Sequence, residues 1–486
     1  MRTSLSFVVL LAVSANAARR SSHLHAAQRM HRRAPNSDKS GIPFQQPCKL
    51  IVLKAPFTEI VVQMFGWNWN SIGDECVQFL GPTGVGFVQV NPPQEHLAGD
   101  QWWVDYQVVS YQLQSKRGSR AEFAGMINKC KGAGVKVMVD TIWNHMAGVD
   151  NVYLQQRIDR VLTDIKQDFH HCVNFRHRVH SLKHTHSLNS NSEYVQGKLA
   201  EFTNDLLGLG VDGLPITDIH PWDIGQVINR LSRKPDYITQ EIVDTSGSMV
   251  GMYTGIGDIQ ETYPDSIGIG WLASNLANVF VTNHDQEHDG AVLSYKSASN
   301  TYTLAHVFML VLQTAVAYGT CYGAGGVNNW VHLRLCQHRW TPIAGMIGFY
   351  NQVGNAGLTN WAQGSNQQIA FGRGSVGFVA INNENWEWTS TFQTSLPSGT
   401  YCDVASGKKE GNGCTGGSVT VSNGSFTVTI PGRSAVGYHT GAKEQHPYRN
   451  WYIELYGAYT CSSHLRRARA VSRAYILIAY FFPHPP

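Results

Sequence analysis

The sequence has few charged side chains and little net charge. Asp, Glu, Lys and Arg make up 15% of the 486 residues, and the formal net charge is +4. So small an excess, much of it in the two ends of the chain, excludes an extended basic surface for nucleic acid. Long apolar runs are also absent, since those at 5–13 and 474–482 are far shorter than the roughly 20 residues that cross a bilayer. Neither nucleic acid nor a membrane is therefore an expected partner.

The N-terminal residues have the pattern of a secretory signal. Arg2 precedes an apolar run, and Ala15 and Ala17 follow at the small-residue spacing of a cleavage site, which predicts removal of residues 1–17. Residues 18–55 are basic and contain proline and serine, which predicts a disordered lead. Nine cysteines in a secreted chain predict disulfide bonds, with at least one thiol left over. We therefore expect a secreted, extracellular protein.

A strand pattern at 135–139 is followed at once by polar residues. The run is apolar and β-branched, as in strands that are buried on both faces of a parallel sheet. Asp140, Asn144 and His145 come directly after it. Because β/α barrels carry their chemistry at the C-terminal ends of such strands, these side chains are candidate site residues. Similar strand ends recur further along the chain.

Strand and helix patterns alternate from residue 59 onward, which predicts an α/β fold, a (β/α)8 TIM barrel. After about residue 345 the runs become short and alternating, and Gly, Ser and Asn separate them, as in an antiparallel β-sandwich domain. The expected divisions are a barrel at 56–343 with a loop domain after strand 3 at about 147–200, a C-terminal β-domain at 344–443, and a tail at 444–486 that is first basic and then apolar.

Six short motifs occur in a fixed order along the chain. They are F-V-Q-V-N-P-P (87–93), W-W-V-D-Y-Q-V-V-S-Y (102–111), V-D-T-I-W-N-H-M (139–146), Q-E-I-V-D (240–244), V-T-N-H-D (281–285) and C-Q-H-R-W (336–340). Together they resemble the secreted animal and fungal enzymes of the α-amylase glycoside hydrolase family. The resemblance implies endo-hydrolysis of α-1,4-glucosidic bonds in starch or glycogen, with retention of configuration, by a monomer.

Retaining hydrolysis needs a carboxylic acid that protonates the leaving oxygen and a carboxylate on the other face of the sugar. The resemblance gives the acid/base role to Glu241 and stabilisation of the transition state to Asp285. It gives substrate binding to Trp102, Trp103, Tyr106, Gln107, Asp140, His145 and His284. Each of these has an ordinary alternative, such as a core tryptophan or a solvated carboxylate, and the set of motifs favours the functional interpretation.

Two ions are implied by the resemblance alone. Asn144 matches a calcium ligand, an oxygen donor of the kind that a hard cation prefers. Asn283 and Arg339 match two of three chloride ligands. The resemblance also implies three disulfides, namely Cys76–Cys130, Cys321–Cys336 and Cys402–Cys414.

The nucleophile motif of the family, G-F-R-x-D-A-x-K-H, is disrupted in this chain. At the matching place, 213–220 reads G-L-P-I-T-D-I-H, so Thr217 stands in the register of the nucleophilic aspartate and Pro215 in that of an arginine. Asp218 is a candidate nucleophile one residue further on. Since side chains alternate faces along a strand, it points away from Glu241 unless the strand bulges.

Other stretches depart from the family as well. Residues 175–187 replace the segment with the remaining calcium ligands, and the histidines there follow no established zinc spacing. Sequence expected near 262–270 and near 321 is missing, including most of the eighth strand. These changes weaken both ion sites and leave two alternatives open. One is a non-catalytic glucan-binding protein that lost the nucleophile, and the other is a chain that records a damaged gene and does not fold stably.

Overall fold

The computed structural model describes residues 60–147, 185–217, 219–242, 250–261, 276–289, 293–312, 316–320 and 336–444. Eight parallel strands form a closed barrel in this part of the chain, as the sequence predicted. Their bounds are β1 (Val61–Gln63), β2 (Phe87–Val90), β3 (Lys136–Val139), β4 (Gly213–Ile216), β5 (Tyr237–Glu241), β6 (Asp258–Glu261), β7 (Ala277–Phe280) and β8 (Val316–Thr320).

The barrel closes in chain order, because each strand pairs with the next and β8 pairs with β1. In this closing position Tyr318 of β8 lies opposite Val61 on one side and Phe280 on the other. The expectation that most of the eighth strand is missing is therefore wrong. The short strand Val316–Thr320 suffices because its neighbour β1 offers only three residues, Val61–Gln63, for pairing.

The helices lie between and around these strands. Their bounds are α1 (Trp69–Glu75), α2 (Arg120–Gly132), α3 (Glu193–Leu209), α4 (Pro221–Ile228), α5 (His284–Asp289), α6 (Thr301–Leu312) and α7 (Thr341–Val353), with a π-helical turn at Cys76–Leu80, a short helical turn at Gly81–Thr83 and 3₁₀ turns at Trp102–Tyr106, Val250–Met252, Ala298–Asn300, Gln337–Arg339 and Thr440–Ala442. No helix in the described ranges is long and apolar enough to cross a bilayer.

Helix α2 shows how local sequence sets these boundaries. Ser119 accepts a hydrogen bond from the Glu122 backbone N–H, and the Glu122 carboxylate accepts one from the Ser119 N–H. This reciprocal cap satisfies two donors that the first turn leaves without partners. The predicted disulfide Cys76–Cys130 is confirmed, and it joins α2 to the turn after α1.

The segment after β3 returns to the barrel through a short antiparallel ladder. Strand His145–Ala147 pairs with strand Thr185–Ser187, so His145 lies opposite Ser187. Residues 148–184, most of the expected loop domain, lie outside the described residues, as do the predicted signal, lead and tail. Helix α3 begins at Glu193, and the division into domains stays a prediction.

The C-terminal region is an antiparallel β-domain, as the sequence predicted. Its strands are β9 (Leu358–Gln363), β10 (Gln368–Arg373), β11 (Gly377–Asn382), β12 (Trp388–Gln393), β13 (Gly399–Cys402), β14 (Lys409–Glu410), β15 (Gly413–Cys414), β16 (Ser418–Val421), β17 (Ser425–Ile430) and β18 (Ser434–His439). A four-stranded sheet runs in the order β9-β10-β11-β18, and the other strands pair two by two.

The two central strands of the four-stranded sheet, β10 and β11, are buried on both faces. Phe371 and Val379 belong to the apolar core that continues into the barrel helices, whereas Phe378 and Ala380 face a separate core within the β-domain. The predicted disulfide Cys402–Cys414 is confirmed. Cys321 lies outside the described residues, so its pairing with Cys336 stays a prediction.

Candidate active site

The C-terminal ends of the barrel strands meet at one rim, because all pairs are parallel. Asp140 follows β3, Thr217 follows β4, and Glu241 is the last residue of β5. Ile216 pairs with Gln240, so the next position of this register places Thr217 beside Glu241. The rim therefore sets the predicted acid/base next to Thr217, the residue in the predicted register of the nucleophile.

Strand β4 contains a proline where its ladder with β3 needs a donor. Thr141 N donates to Pro215 O at 2.9 Å, and Thr217 N donates to Thr141 O at 3.4 Å. Two residues earlier in the same ladder, the N–H of residue 215 would donate to Val139 O, but proline has none. The Thr141 hydroxyl donates to Val139 O instead, at 2.6 Å. This substitute bond explains how proline is accommodated in a central strand.

The Thr217 hydroxyl is hydrogen-bonded to neighbouring residues of the barrel rim. Thr217 Oγ1 donates to Asn144 Oδ1 at 3.1 Å and lies 3.4 Å from Thr141 O. The side chain is half-buried and neutral. A hydroxyl that already serves as a donor cannot supply the negative charge that a retaining mechanism requires beside Glu241.

Asp140 is a buried carboxyl group with two hydrogen-bond donors. Tyr106 Oη donates to Asp140 Oδ2 at 2.7 Å, and Gln89 Nε2 donates to Oδ1. Burial first, and then the charges of Asp285 and Asp105, raise the pKa of Asp140 to about 7, against the lowering effect of the two hydrogen bonds. Near neutral pH this group can therefore donate or accept a proton. The role of Gln89 was not predicted from the sequence. A glutamine within the fully buried strand β2 was the available signal, because a buried amide needs a polar partner.

An aromatic stack joins three parts of the rim. The His284 ring lies parallel to Phe65, with centroids 4.3 Å apart, and to Tyr106, at 5.4 Å. Trp102 meets the same imidazole edge-on at 5.8 Å, and His284 Nδ1 lies 3.2 Å from Gln63 Nε2. These contacts fix the imidazole by rings and by one hydrogen bond. Phe65 and Gln63, at the end of β1, were not predicted.

Trp103 extends this group of rings toward solvent. It is 50% exposed, and its ring stands almost perpendicular to that of Trp102, with centroids 5.7 Å apart. An indole that is fixed on one side and open on the other can stack on the C–H face of a sugar ring, because the aromatic face carries partial negative charge. Trp102 and Trp103 therefore form an aromatic surface that reaches solvent, and its role as a platform for sugar stays a prediction.

A buried ion cluster anchors the 3₁₀ turn that carries the platform. Asp105 is fully buried and accepts hydrogen bonds from Arg117 Nε at 2.8 Å and Asn91 Nδ2 at 2.7 Å. Lys116 Nζ lies 2.9 Å from its other oxygen. Arg117 also donates to Gly66 O at 2.5 Å. This cluster was missed from the sequence, where only the neighbouring cations at 116 and 117 could have indicated it.

His145 and Gln107 contribute buried polar atoms. His145 Nε2 donates to Tyr106 O at 2.9 Å, and burial lowers the pKa of the imidazole, which keeps it neutral near pH 7. Within the described residues, neither His145 Nδ1 nor the Gln107 amide oxygen has a hydrogen-bond partner. Both atoms are thus able to accept a hydrogen bond.

The remaining carboxylates differ in their surroundings. The Asp285 side chain is 51% exposed, and its Oδ1 lies 3.5 Å from His284 Nε2. Asp218 lies outside the described residues, so its role as a nucleophile stays a prediction. Glu287, two residues after Asp285, was not predicted, and burial raises its pKa to about 7. A second acidic residue, shortly after the N-H-D motif, was the signal in the sequence.

The described residues do not fit a calcium site. Asn144 Oδ1 accepts the Thr217 hydroxyl, and the Asn144 backbone oxygen accepts the N–H of Leu188 at 2.9 Å. No group of three or more His, Cys, Asp and Glu side chains in the described ranges is arranged to hold a metal. Residues 175–184 lie outside those ranges.

The two predicted chloride ligands have other partners. Asn283 Oδ1 accepts the Gln286 backbone N–H at 2.9 Å, as a helix cap does. Arg339 donates to both oxygens of Glu75 at 2.7 and 2.6 Å. Burial raises the pKa of Glu75, but hydrogen bonds from His338 and Arg339 outweigh it and lower the pKa to about 2. Glu75 ends α1, so this ion pair gives Arg339 a structural role and does not support the chloride role.

Residues 359–441 match the family described as alpha amylase, C-terminal all-beta domain. An α-amylase of Streptomyces violaceus is 37% identical over 436 residues, which cover 79% of this chain and 74% of that one. An α-amylase of Tenebrio molitor is 33% identical over 448 residues, which cover 76% of this chain and 94% of that one.

The crystal structure of α-amylase I from Eisenia fetida is similar in fold. It is 28% identical with a TM-score of 0.69, and the match covers 78% of this chain and 97% of that one. A Glu→Gln variant of that protein has been solved with maltohexaose. The chain belongs to the α-amylase family of glycoside hydrolases.

Proposed function

We propose that the rim binds α-1,4-glucan chains, such as starch and glycogen, and that this chain derives from a retaining endo-hydrolase and cleaves internal bonds only slowly. The observation that carries this proposal is the register of β4 and β5, which sets Glu241 beside position 217. The same rim bears Trp103 and the stacked ring of His284. An acid with an aromatic surface for the sugar is what an amylase-type reaction requires at its cleavage point.

In this proposal Glu241 protonates the leaving oxygen, and Asp285 stabilises positive charge on the sugar. Asp140, His145 and His284 hold sugar hydroxyls. A pKa of about 7 lets Asp140 donate a hydrogen bond to a hydroxyl in part of the molecules and accept one in the rest. Because position 217 is a neutral threonine, no carboxylate is available there to trap the sugar. Water then attacks the anomeric carbon as the glucosidic bond breaks, and the low rate follows from the loss of the carboxylate nucleophile.

The test is Glu241→Gln in the full chain, with reducing-sugar release from soluble starch as the measurement. An amide cannot donate the proton, so we expect the residual rate to fall by roughly 10²–10⁴, while binding of maltohexaose stays within about twofold. Glu410→Gln is the control, since that side chain is 65% exposed on a strand of the β-domain. Full activity in Glu241→Gln would refute the acid/base role.

A second candidate is a glucan-binding protein without turnover. The observation in its favour is the Thr217 hydroxyl, which is bound to Asn144 at 3.1 Å and offers no negative charge. Adsorption to starch without any reducing-sugar release above the Glu241→Gln background would support this candidate over slow hydrolysis.

We also propose that the protein acts outside the cell as a monomer. The pattern at 1–17 and two disulfides within the described residues support an oxidising compartment. The division into a barrel at 56–343 and a β-domain at 344–443 is proposed on the change from parallel to antiparallel strands. Sedimentation of secreted material would test the monomer, and residues remaining after limited proteolysis would test the division.

A further inference from the structure

The hairpin between β16 and β17 has a two-residue turn, Asn423 and Gly424. Ser422 N donates to Ser425 O at 3.0 Å, and Ser425 N donates to Ser422 O at 3.1 Å. The φ angles of Asn423 and Gly424 are 51° and 73°, both left-handed, as a type I′ turn requires. Thr394 N donates to Gly424 O at 2.8 Å, which fixes the turn beside the end of β12. Asn-Gly is the sequence that such a turn favours, so these two residues need no further explanation.

The residue after the turn completes a motif that the turn does not require. With Ser425, the turn reads N-G-S, the only N-x-S/T sequence in the 486 residues. This motif is the acceptor of N-linked glycans in secreted proteins. Asn423 is exposed, and among the described residues its side chain takes part in no hydrogen bond or ion pair. Ser425 shares a face of β17 with the exposed Thr427 and Thr429, so the whole motif lies at the surface.

The strand beside the turn is an edge strand without charge. In the described part of the chain β12 has one hydrogen-bonded neighbour strand, β17, and its last residue, Gln393, lies opposite Ser425. Neither 388–402 nor 411–432 contains a charged side chain. Proteins usually protect such edges with lysine, proline or a bulge, and β12 has none of these. Short uncharged segments of high β-propensity pair with other chains when they are exposed.

We propose that Asn423 carries an N-linked glycan, which covers the end of the β12–β17 sheet and opposes pairing of β12 with another chain. A bulky and soluble oligosaccharide gives this edge the protection that charge gives elsewhere. The donor is a lipid-linked pyrophosphoryl oligosaccharide of the secretory pathway. A bond forms between Asn423 Nδ2 and the sugar C1 while the bond from C1 to the pyrophosphate oxygen breaks. The lipid pyrophosphate leaves, and one amide proton passes to solvent. The inference rests on the proposed secretion and is independent of hydrolysis at the rim.

The experiment is cell-free translation of the full chain with microsomes, followed by digestion with an endoglycosidase. We expect a single mobility shift that digestion removes. Ser425→Ala should lose the shift and Ser425→Thr should keep it, because threonine also completes the motif. Asn412→Gln is the matched control, since Asn412 is exposed before a glycine in the same domain but lacks Ser or Thr two residues later. The readout does not depend on folding, so a variant that folds poorly still gives an answer.

Protection of the chain from added protease separates entry into the microsomes from glycosylation. A protected chain without the shift would overturn the site. An unprotected chain would overturn it through the secretion on which it rests. Absence of reducing-sugar release would affect the proposed function alone and leave the mobility shift unchanged.

The role of the glycan at the sheet edge is tested on secreted protein by light scattering at rising concentration. Ser425→Ala should aggregate at a lower concentration than Ser425→Thr, and enzymatic removal of the glycan from the unmodified chain should have the same effect without a substitution. Adding Thr391→Lys to Ser425→Ala should restore solubility, because Thr391 is exposed on β12 and a lysine there protects the edge. Equal aggregation with and without the glycan would overturn this role.

Discussion

The ends of β3 and β4 lie side by side in the barrel and have very different chemistry. At the end of β3, Asp140 is buried and receives hydrogen bonds from Tyr106 and Gln89. At the end of β4, Pro215 lacks a backbone donor and Thr217 gives its hydroxyl to Asn144. One end has a carboxyl group with a raised pKa, and the other has a neutral hydroxyl where the family resemblance predicts a carboxylate.

The two strand ends show that the fold tolerates a substitution which catalysis does not. The fold needs a hydrogen bond to Val139 O, and any donor of suitable geometry serves, so the Thr141 hydroxyl replaces the missing N–H. Catalysis needs a negative charge at position 217, and a hydroxyl cannot replace that. A closed barrel is thus compatible with a proline at position 215 and a neutral residue at position 217.

The largest effect should come from restoring β4 to the family pattern. Pro215→Arg together with Thr217→Asp returns a backbone donor, a cation and a carboxylate beside Glu241. We expect reducing-sugar release from soluble starch to rise by roughly 10–100-fold over the unmodified chain. Thr217→Asp alone should help less, because the new charge has no partner and the proline remains.

Two outcomes would contradict this comparison of the strand ends. Strong activity in the unmodified chain that disappears in Asp218→Asn would mean that Asp218 is the nucleophile. No gain in a double variant shown to be folded by circular dichroism would mean that changes elsewhere, near 262 or 321, prevent turnover.

The hydroxyl of Thr141 provides a smaller and purely structural test. Thr141→Val keeps the shape and leaves Val139 O without the Thr141 donor, at a cost of roughly 1–3 kcal/mol in the free energy of unfolding by urea. Thr141→Ser keeps the hydroxyl and should cost less. In a Pro215→Ala background the N–H of residue 215 is available, so Thr141→Val should cost less there. An equal cost in both backgrounds would show that the two groups are not exchangeable donors.

Much of the fold could be predicted from the sequence, because it depends on local patterns. The apolar runs that became β2 and β3 are buried along almost their whole length, and a run of this kind is typical of parallel strands. The alternating runs after residue 345 became the antiparallel sheets. Strand β8 was misjudged because its length was compared with a family pattern and not with the three residues of β1 that it must pair with.

The site could be predicted only where a motif named its residues. Glu241, Asp140 and His284 were predicted in this way, and the structure places all three at strand ends or just beyond them, while their roles stay predictions. The Asp105 cluster joins residues up to 51 positions apart, and no local pattern encodes such contacts. The motif also named Arg339, but its ion pair with Glu75, 264 residues away, was not predicted. Its role as a chloride ligand stays a prediction.

The raised pKa of Asp140 predicts a pH dependence at the β3 end. The group binds its proton more tightly in the folded chain, up to about pH 7, than in the unfolded chain, where an aspartate titrates near 4. Its contribution to stability is therefore complete below pH 4 and is lost as the pH rises to 7. Asp140→Asn should reduce the loss of unfolding free energy between pH 5 and pH 8 by roughly 2–3 kcal/mol. Thermal or urea unfolding at the two pH values measures this, and an unchanged difference would contradict the shift.

The smallest expected effect concerns calcium. Its predicted ligand, Asn144, connects the two strand ends, because it follows β3 and contacts Thr217 at the end of β4. The resemblance to the family predicts that Asn144 is a calcium ligand. In this structure its side-chain oxygen accepts a hydrogen bond from the Thr217 hydroxyl at 3.1 Å. One neutral oxygen cannot hold an ion that takes about six to eight oxygen ligands, and the described residues contain no cluster that could complete the set. Since an ion stabilises a fold only as far as it binds, excess chelator should shift the melting temperature by no more than about 1 °C. Thr217→Val frees the Asn144 oxygen, and calcium should still have no effect on that variant. A large drop in melting temperature on chelation would mean that residues 175–184, outside the described part of the chain, supply the missing ligands.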